Sequence, residues 1–128
     1  MNAQKYTQKS LAAIQDAQAL TIRNENQQIE QIHLFSALLR QDDGLVRALL
    51  KRMGITVESL EAAVNQALAK LPRVTGAGRE ADKYYVSRSV DATFQKAEDI
   101  ADSMKDDYVS VEHLLLALLD TADSTMKD

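Results

Sequence analysis

Apolar residues recur every three or four positions along most of this chain, the spacing that places them on one face of an α-helix. The first such stripe predicts a helix from Thr7, as its N-cap, to about Arg23. A second predicts a helix from Ser87, in the same capping role, to about Lys105. The pattern therefore indicates two long, half-buried helices that begin in the same way.

Two other segments are apolar on nearly every side. Ile29–Leu39 has the pattern Ile-x-x-x-His-Leu-Phe-Ser-Ala-Leu-Leu, and Val109–Leu119 has Val-x-x-x-His-Leu-Leu-Leu-Ala-Leu-Leu. The two segments are 80 residues apart, and the same offset aligns the two amphipathic stripes without a gap. A helix with no polar face must be covered on several sides. The chain is thus a tandem duplication, and we predict an all-α fold in which a four-helix unit is repeated and packed as a pseudo-two-fold bundle.

The first copy continues with two more predicted helices. One runs from Leu45 to Met53 and is ended by Gly54, which suits the left-handed position just after a helix. The other follows Thr56 and is ended by Pro72, the only proline in the chain.

The domain boundaries follow from these elements. Residues 72–84 contain two of the four glycines and no periodic pattern, which predicts a linker. Residues 1–71 then form the first repeat, and residues 85–128 form a second repeat that is truncated before its third and fourth helices. We therefore expect the chain to be part of a longer protein.

The amino-acid composition excludes several classes of function. The abundant Ala, Leu, Gln, Lys and Glu are strong helix formers, and the absence of cysteine excludes disulfides and thiolate chemistry. The net charge is -4 and the basic residues are scattered, unlike a nucleic-acid-binding surface. No apolar run approaches the roughly 18 residues of a membrane span. We expect a cytoplasmic protein that binds neither nucleic acid nor membrane.

The only histidines, His33 and His113, occupy the same position in the two repeats. Glu30 precedes His33 with the spacing of di-iron ligands in helix bundles, but Ser110 takes that place in the second repeat. A histidine in the first turn of a buried helix can instead satisfy free backbone groups. The sequence therefore predicts structural histidines, no metal site and no catalytic residue.

The duplicated His-Leu-Leu-Leu-Ala-Leu-Leu pattern resembles the double Clp repeat that precedes the ATPase modules of Clp AAA+ chaperones, over essentially the whole chain. Within that family, Asn65–Gly76, with its Leu-Pro-Arg-Val-Thr-Gly ending, is most similar to the ClpB disaggregases. The chain has no Gly-x-x-x-x-Gly-Lys-[Ser/Thr] motif. We therefore expect no cofactor here, with ATP and Mg²⁺ bound elsewhere in the parent protein.

The resemblance implies a non-catalytic N-domain of a stress-response chaperone. Such a domain binds unfolded or aggregated polypeptide and delivers it to a homohexameric threading ring, and a DnaK-type chaperone system would act with the parent protein. Two alternatives remain open. One is an adaptor-docking N-domain of a protease-coupled Clp ATPase, and the other is a structural spacer that binds nothing.

Six residues are candidates for binding polypeptide in a groove between the repeats. Thr7, Asp106 and Glu112 would form a polar rim, although capping and first-turn positions explain Thr7 and Glu112 without any ligand. Apolar lining would come from Val90, Phe94 and Val109, although all three could instead belong to the core, the position favoured for Phe94.

Overall fold

The computed structural model describes residues 3–41, 45–73 and 85–122. These residues are mostly helical, which confirms the all-α prediction. The helices are α1 (Gln8–Arg23), α2 (Gln31–Leu39), α3 (Leu45–Arg52), α4 (Val57–Lys70), α5 (Arg88–Ser103) and α6 (Val111–Thr121). A short 3₁₀ turn, Ala3–Lys5, precedes α1. The strands Gln28–Ile29 (β1) and Tyr85–Val86 (β2) form a two-residue parallel pair that the sequence analysis did not predict.

The predicted helix ends are confirmed where the structure describes them. The Thr7 hydroxyl accepts the Ser10 N–H at 3.1 Å, and the Ser87 hydroxyl accepts the Val90 N–H at 3.1 Å. Gly54 follows α3 with φ of 81°, the left-handed conformation expected from its position. The predicted linker lies outside the described residues except for its first two residues.

Both long helices end in the same left-handed turn. Glu25 and Lys105, 80 residues apart, have φ of 58° and 60°. In each turn the next N–H group donates to the carbonyl five residues earlier, as in a Schellman motif. These bonds are Asn26 to Thr21 at 3.0 Å and Asp106 to Ala101 at 2.9 Å. The duplication therefore extends to the backbone conformation of the connections.

The two repeats are joined by reciprocal strand pairing. Tyr6 of the first repeat pairs with Val109 of the second, and Val86 of the second pairs with Ile29 of the first. Residues 6 and 86, and residues 29 and 109, are equivalent at the 80-residue offset. Each repeat thus places the residue before its first helix against the other repeat, which is the arrangement expected of a pseudo-two-fold axis.

The central layer of the core consists of α2 and α6, which contact each other. In addition, α1 packs on α2, and α5 packs on α6. The third and fourth helices of the first repeat also pack on α2. The leucines of the two central helices are almost fully buried: Leu34, Leu38, Leu114 and Leu118.

One buried polar cluster breaks the symmetry. The Gln31 side-chain amide lies 2.9 Å from the Thr93 hydroxyl, 2.9 Å from the Thr121 carbonyl and 3.2 Å from the Ser89 carbonyl. The equivalent position in the second repeat is Val111. Because a buried amide is costly unless it is hydrogen-bonded, this cluster favours one arrangement of the two repeats.

Candidate functional site

The N-terminal segment lies along the connection between α5 and α6. The Val109 N–H donates to the Lys5 carbonyl at 2.7 Å, and the Thr7 N–H donates to the Val109 carbonyl at 3.0 Å. The Ser10 hydroxyl also donates to the Val109 carbonyl at 3.0 Å. The structure therefore brings Thr7 to the same connection as Asp106 and Val109.

Tyr6 fixes this segment to α5. Its ring packs edge-on against Phe94, with ring centroids 6.2 Å apart, and its hydroxyl donates to the Glu98 carboxylate at 3.0 Å. Burial, together with that carboxylate, raises the pKa of Tyr6, so the phenol stays protonated. Tyr6 was not among the residues predicted from the sequence, because an aromatic residue before a helix carries no periodic signal.

The three apolar candidates do not line an open groove in this structure. Val90, Phe94 and Val109 are 0%, 7% and 2% exposed and belong to the core. Moreover, Val90 lies near Ser87, whose N–H donates to the Ile29 carbonyl. This is the contact between repeats that the pseudo-two-fold relates to the pairing of Tyr6 with Val109. Of the two positions that the sequence left open for these side chains, groove lining or core, the structure places them in the core. A role in binding polypeptide stays a prediction.

Exposed apolar side chains lie instead in the α5–α6 turn, residues 104–110. Met104 is 55% exposed and Tyr108 is 56% exposed. The equivalent positions of the α1–α2 turn, residues 24–30, are the polar Asn24 and Gln28. Neither Met104 nor Tyr108 was among the residues predicted from the sequence, although alignment of the two repeats shows an apolar residue at these positions in the second copy only.

Asp106 is half exposed in this turn and bonded to a buried histidine. Its Oδ2 lies 2.8 Å from His113 Nε2, and His113 Nδ1 accepts the Ser110 N–H at 2.9 Å. Glu112 is exposed in the first turn of α6, where the helix dipole favours a carboxylate. Two of the predicted rim residues, Asp106 and Glu112, thus lie near the start of α6, and Thr7 reaches the same connection through its bond to Val109.

The equivalent histidine, His33, makes the same bonds. Its Nδ1 accepts the Glu30 N–H at 2.9 Å, and its Nε2 lies 2.8 Å from Asn26 Oδ1. Burial lowers the pKa of His33 to about 4, so the ring is neutral near pH 7. The predicted structural role at the start of a buried helix is therefore what the geometry shows for both histidines.

Ser110, His113 and Asp106 also lie in the order of a hydrolase triad, with Ser110 Oγ 3.1 Å from His113 Nδ1. However, the in-plane lone pair of that nitrogen already accepts the Ser110 N–H. It cannot also take the hydroxyl proton as a general base would. The arrangement therefore caps a helix and does not activate a nucleophile.

The described residues contain neither a metal-binding cluster nor a membrane-spanning helix. Among residues 3–41, 45–73 and 85–122, no group of three His, Cys, Asp or Glu side chains could hold a metal ion. No helix in this part of the chain is long and apolar enough to cross a bilayer. A cleft of about 150 Å³ lies beside the α1–α2 turn, between Gln28 and Pro72.

These observations define an all-α double-repeat domain in which Met104 and Tyr108 of the α5–α6 turn are among the exposed apolar side chains. The family model for the Clp repeat (R) N-terminal domain matches residues 5–128, and the chain belongs to this family. Chaperone protein ClpB of Nitratidesulfovibrio vulgaris is 40% identical over 126 residues, which are 98% of this chain and 15% of that protein. ClpB of Porphyromonas gingivalis is 40% identical over 131 residues, covering 100% of this chain and 15% of that protein.

Solved structures agree on the fold. The Hsp104 N-terminal domain from Candida albicans matches with a TM-score of 0.84 and 28% identity, covering 97% of this chain and 78% of that one. The N-terminal domain of ClpV1 ATPase from E. coli matches with a TM-score of 0.80 and 20% identity, covering 91% of this chain and 69% of that one, which shows the fold alone. The chain spans about 15% of the length of the ClpB proteins it matches.

Proposed function

We propose that this chain is the polypeptide-binding N-domain of a ClpB-like disaggregase. In this role it binds unfolded or aggregated polypeptide and delivers it to the homohexameric AAA+ ring of a cytoplasmic parent protein, which a DnaK-type chaperone system assists. The chain itself performs no chemistry, and ATP with Mg²⁺ belongs to the parent's ATPase modules. The observation that carries the proposal is the α5–α6 turn, where the exposed Met104 and Tyr108 flank the carboxylate of Asp106.

The chemistry of this turn suits ligands of many sequences. An adaptable methionine and an aromatic ring contact apolar side chains without requiring one particular sequence. The neighbouring Thr7 and Glu112 could hydrogen-bond the backbone of an extended chain. A surface this small should bind weakly, with Kd in the micromolar range or above, which corresponds to about 8 kcal/mol or less. Six copies on a ring would raise the apparent affinity by avidity.

The direct test is an NMR titration of the isotope-labelled chain with a synthetic, apolar-rich polypeptide that has no folded state. We expect amide shifts concentrated at residues 104–112 and near Thr7. No shifts at millimolar ligand would contradict the proposal and favour an adaptor-docking domain or a spacer.

The two repeats supply matched variants for this titration. The double change Met104→Asn and Tyr108→Gln gives the second repeat the residues of the first and should weaken binding about tenfold. Met53→Asn is the control, because Met53 is 60% exposed in the turn after α3, outside the proposed surface. Equal losses in both variants would show non-specific apolar binding.

The polar rim has its own test. Thr7→Ala should weaken binding by more than its stability loss explains, and Glu112→Ala should weaken binding with little effect on stability. Ser87→Ala is the matched control, since it removes the equivalent cap at the start of α5, away from the proposed surface. Unchanged affinity in a folded Thr7→Ala variant would leave Thr7 as a helix cap only.

A further inference from the structure

The bond between Asp106 and His113 assigns the proton on the histidine ring. A backbone N–H can only donate, so His113 Nδ1, which receives the Ser110 N–H, must present a lone pair. The ring proton is then on Nε2 and points at Asp106 Oδ2, 2.8 Å away. The carboxylate therefore accepts a hydrogen bond from a side chain that is 5% exposed and belongs to the first turn of α6.

The first repeat shows what this bond requires. Asn26 is the residue equivalent to Asp106, and its carboxamide oxygen lies at the same 2.8 Å from His33 Nε2. The two turns also share their left-handed residue and their five-residue backbone bond. A neutral oxygen acceptor thus takes the place of the carboxylate beside the histidine in a turn of the same conformation.

We propose that Asp106 is a positioning residue that acts through His113 to hold the α5–α6 turn, and thereby Met104 and Tyr108, in their exposed arrangement. The negative charge of Asp106 is not what contacts the polypeptide. This inference rests on the proposed function for the identity of the ligand, but the hydrogen bond and its effect on the turn can be measured without any ligand.

Two substitutions separate position from charge. Asp106→Asn keeps an oxygen acceptor and removes the charge, whereas Asp106→Ala removes both. We expect Asp106→Asn to bind the synthetic unfolded polypeptide within about twofold of the wild type, and Asp106→Ala to bind about tenfold more weakly, as loss of one hydrogen bond to a charged group allows. Equal weakening in both variants, or no weakening in either, would overturn the proposal.

A control variant excludes general destabilisation. Asn26→Ala removes the equivalent acceptor in the first repeat, so it should lower the melting temperature and leave polypeptide affinity unchanged. If Asn26→Ala weakens binding as much as Asp106→Ala at temperatures where both are folded, the role of Asp106 is merely structural and the proposal fails.

The ¹⁵N shifts of the His113 ring provide the readout without ligand. Asp106→Asn should retain the Nε2 shift and the amide shifts of Met104 and Tyr108. Asp106→Ala should change these shifts, although the Ser110 N–H still keeps the ring proton on Nε2. If the wild type binds no polypeptide, the proposed function fails, and these shifts still decide whether Asp106 holds the turn. Unchanged shifts in Asp106→Ala would overturn the proposal.

Discussion

The helices α2 and α6 share one sequence motif but differ in how much of it is covered. All nine residues of α2 are buried, including Ser36 at 2% exposure and Leu39 at 1%. The equivalent residues of α6, Leu116 and Leu119, are 47% and 52% exposed. In the described part of the chain, α3 contacts both α2 and α6, whereas α4 packs on α2 and makes no comparable contact with α6.

The turns before these helices also differ, because the turn of the second repeat exposes more apolar surface than that of the first. The α1–α2 turn is polar, and the Asn26 side chain is held by the Pro72 carbonyl at 3.0 Å as well as by His33. In the α5–α6 turn, Met104 and Tyr108 are exposed and Asp106 has His113 as its partner. The two copies of the turn therefore share their backbone conformation and their bond to a buried histidine, while the side chains that reach solvent differ.

The largest expected effect on stability comes from shortening Leu39, and the same change at the equivalent Leu119 serves as its comparison. Leu39→Ala should lower the free energy of unfolding by about 3 kcal/mol, because it leaves a cavity in a fully buried site. Leu119→Ala should cost less than about 0.5 kcal/mol, because that side chain is half exposed. Urea denaturation measures both values. Equal costs would mean that α6 is as well covered as α2.

The pH dependence of stability should contain a component from His33. Its pKa is about 4 in the folded chain and 6.5 when unfolded, so the unfolded state binds the proton more tightly. The resulting stability is fully present above about pH 6.5 and is lost as pH falls towards 4, by up to about 3 kcal/mol. Denaturation across this range should show a smaller slope for His33→Gln. An identical slope would contradict the burial of a neutral ring.

The helix caps should be nearly equivalent in stability. Thr7→Ala and Ser87→Ala should each lower the free energy of unfolding by about 1 kcal/mol, because each removes the acceptor of a first-turn N–H. Thermal melts compare the two variants directly. A much larger cost for Thr7→Ala would show that its bond to the Ser10 hydroxyl at 2.9 Å also stabilises the N-terminal segment.

The smallest expected effect is a gain. Glu25→Gly and Lys105→Gly should each raise stability by about 0.5 kcal/mol, because glycine adopts positive φ without the clash of a Cβ atom. Lys105→Ala retains the Cβ and should give no gain. A gain in only one of the two glycine variants would show that the paired turns are not under the same strain.

Much of the fold could be predicted from local sequence. The period of the apolar residues located the helices, and Thr7, Ser87 and Gly54 marked ends that the structure confirms. These signals suffice because capping and helical periodicity depend on residues only a few positions apart. The 80-residue offset likewise predicted a pseudo-two-fold, which appears as reciprocal pairing of Tyr6 with Val109 and Val86 with Ile29.

Only the tertiary structure decides which apolar side chains are exposed at the surface. Val90, Phe94 and Val109 have the same apolar character as Met104 and Tyr108, yet packing between the repeats buries the first three and leaves the other two exposed. Likewise, the residue types at positions 106 and 26, Asp and Asn, do not show that both side chains bond a histidine seven residues later. Hydrophobicity determines that a residue prefers burial, but only the arrangement of neighbouring helices determines whether a partner is present to cover it.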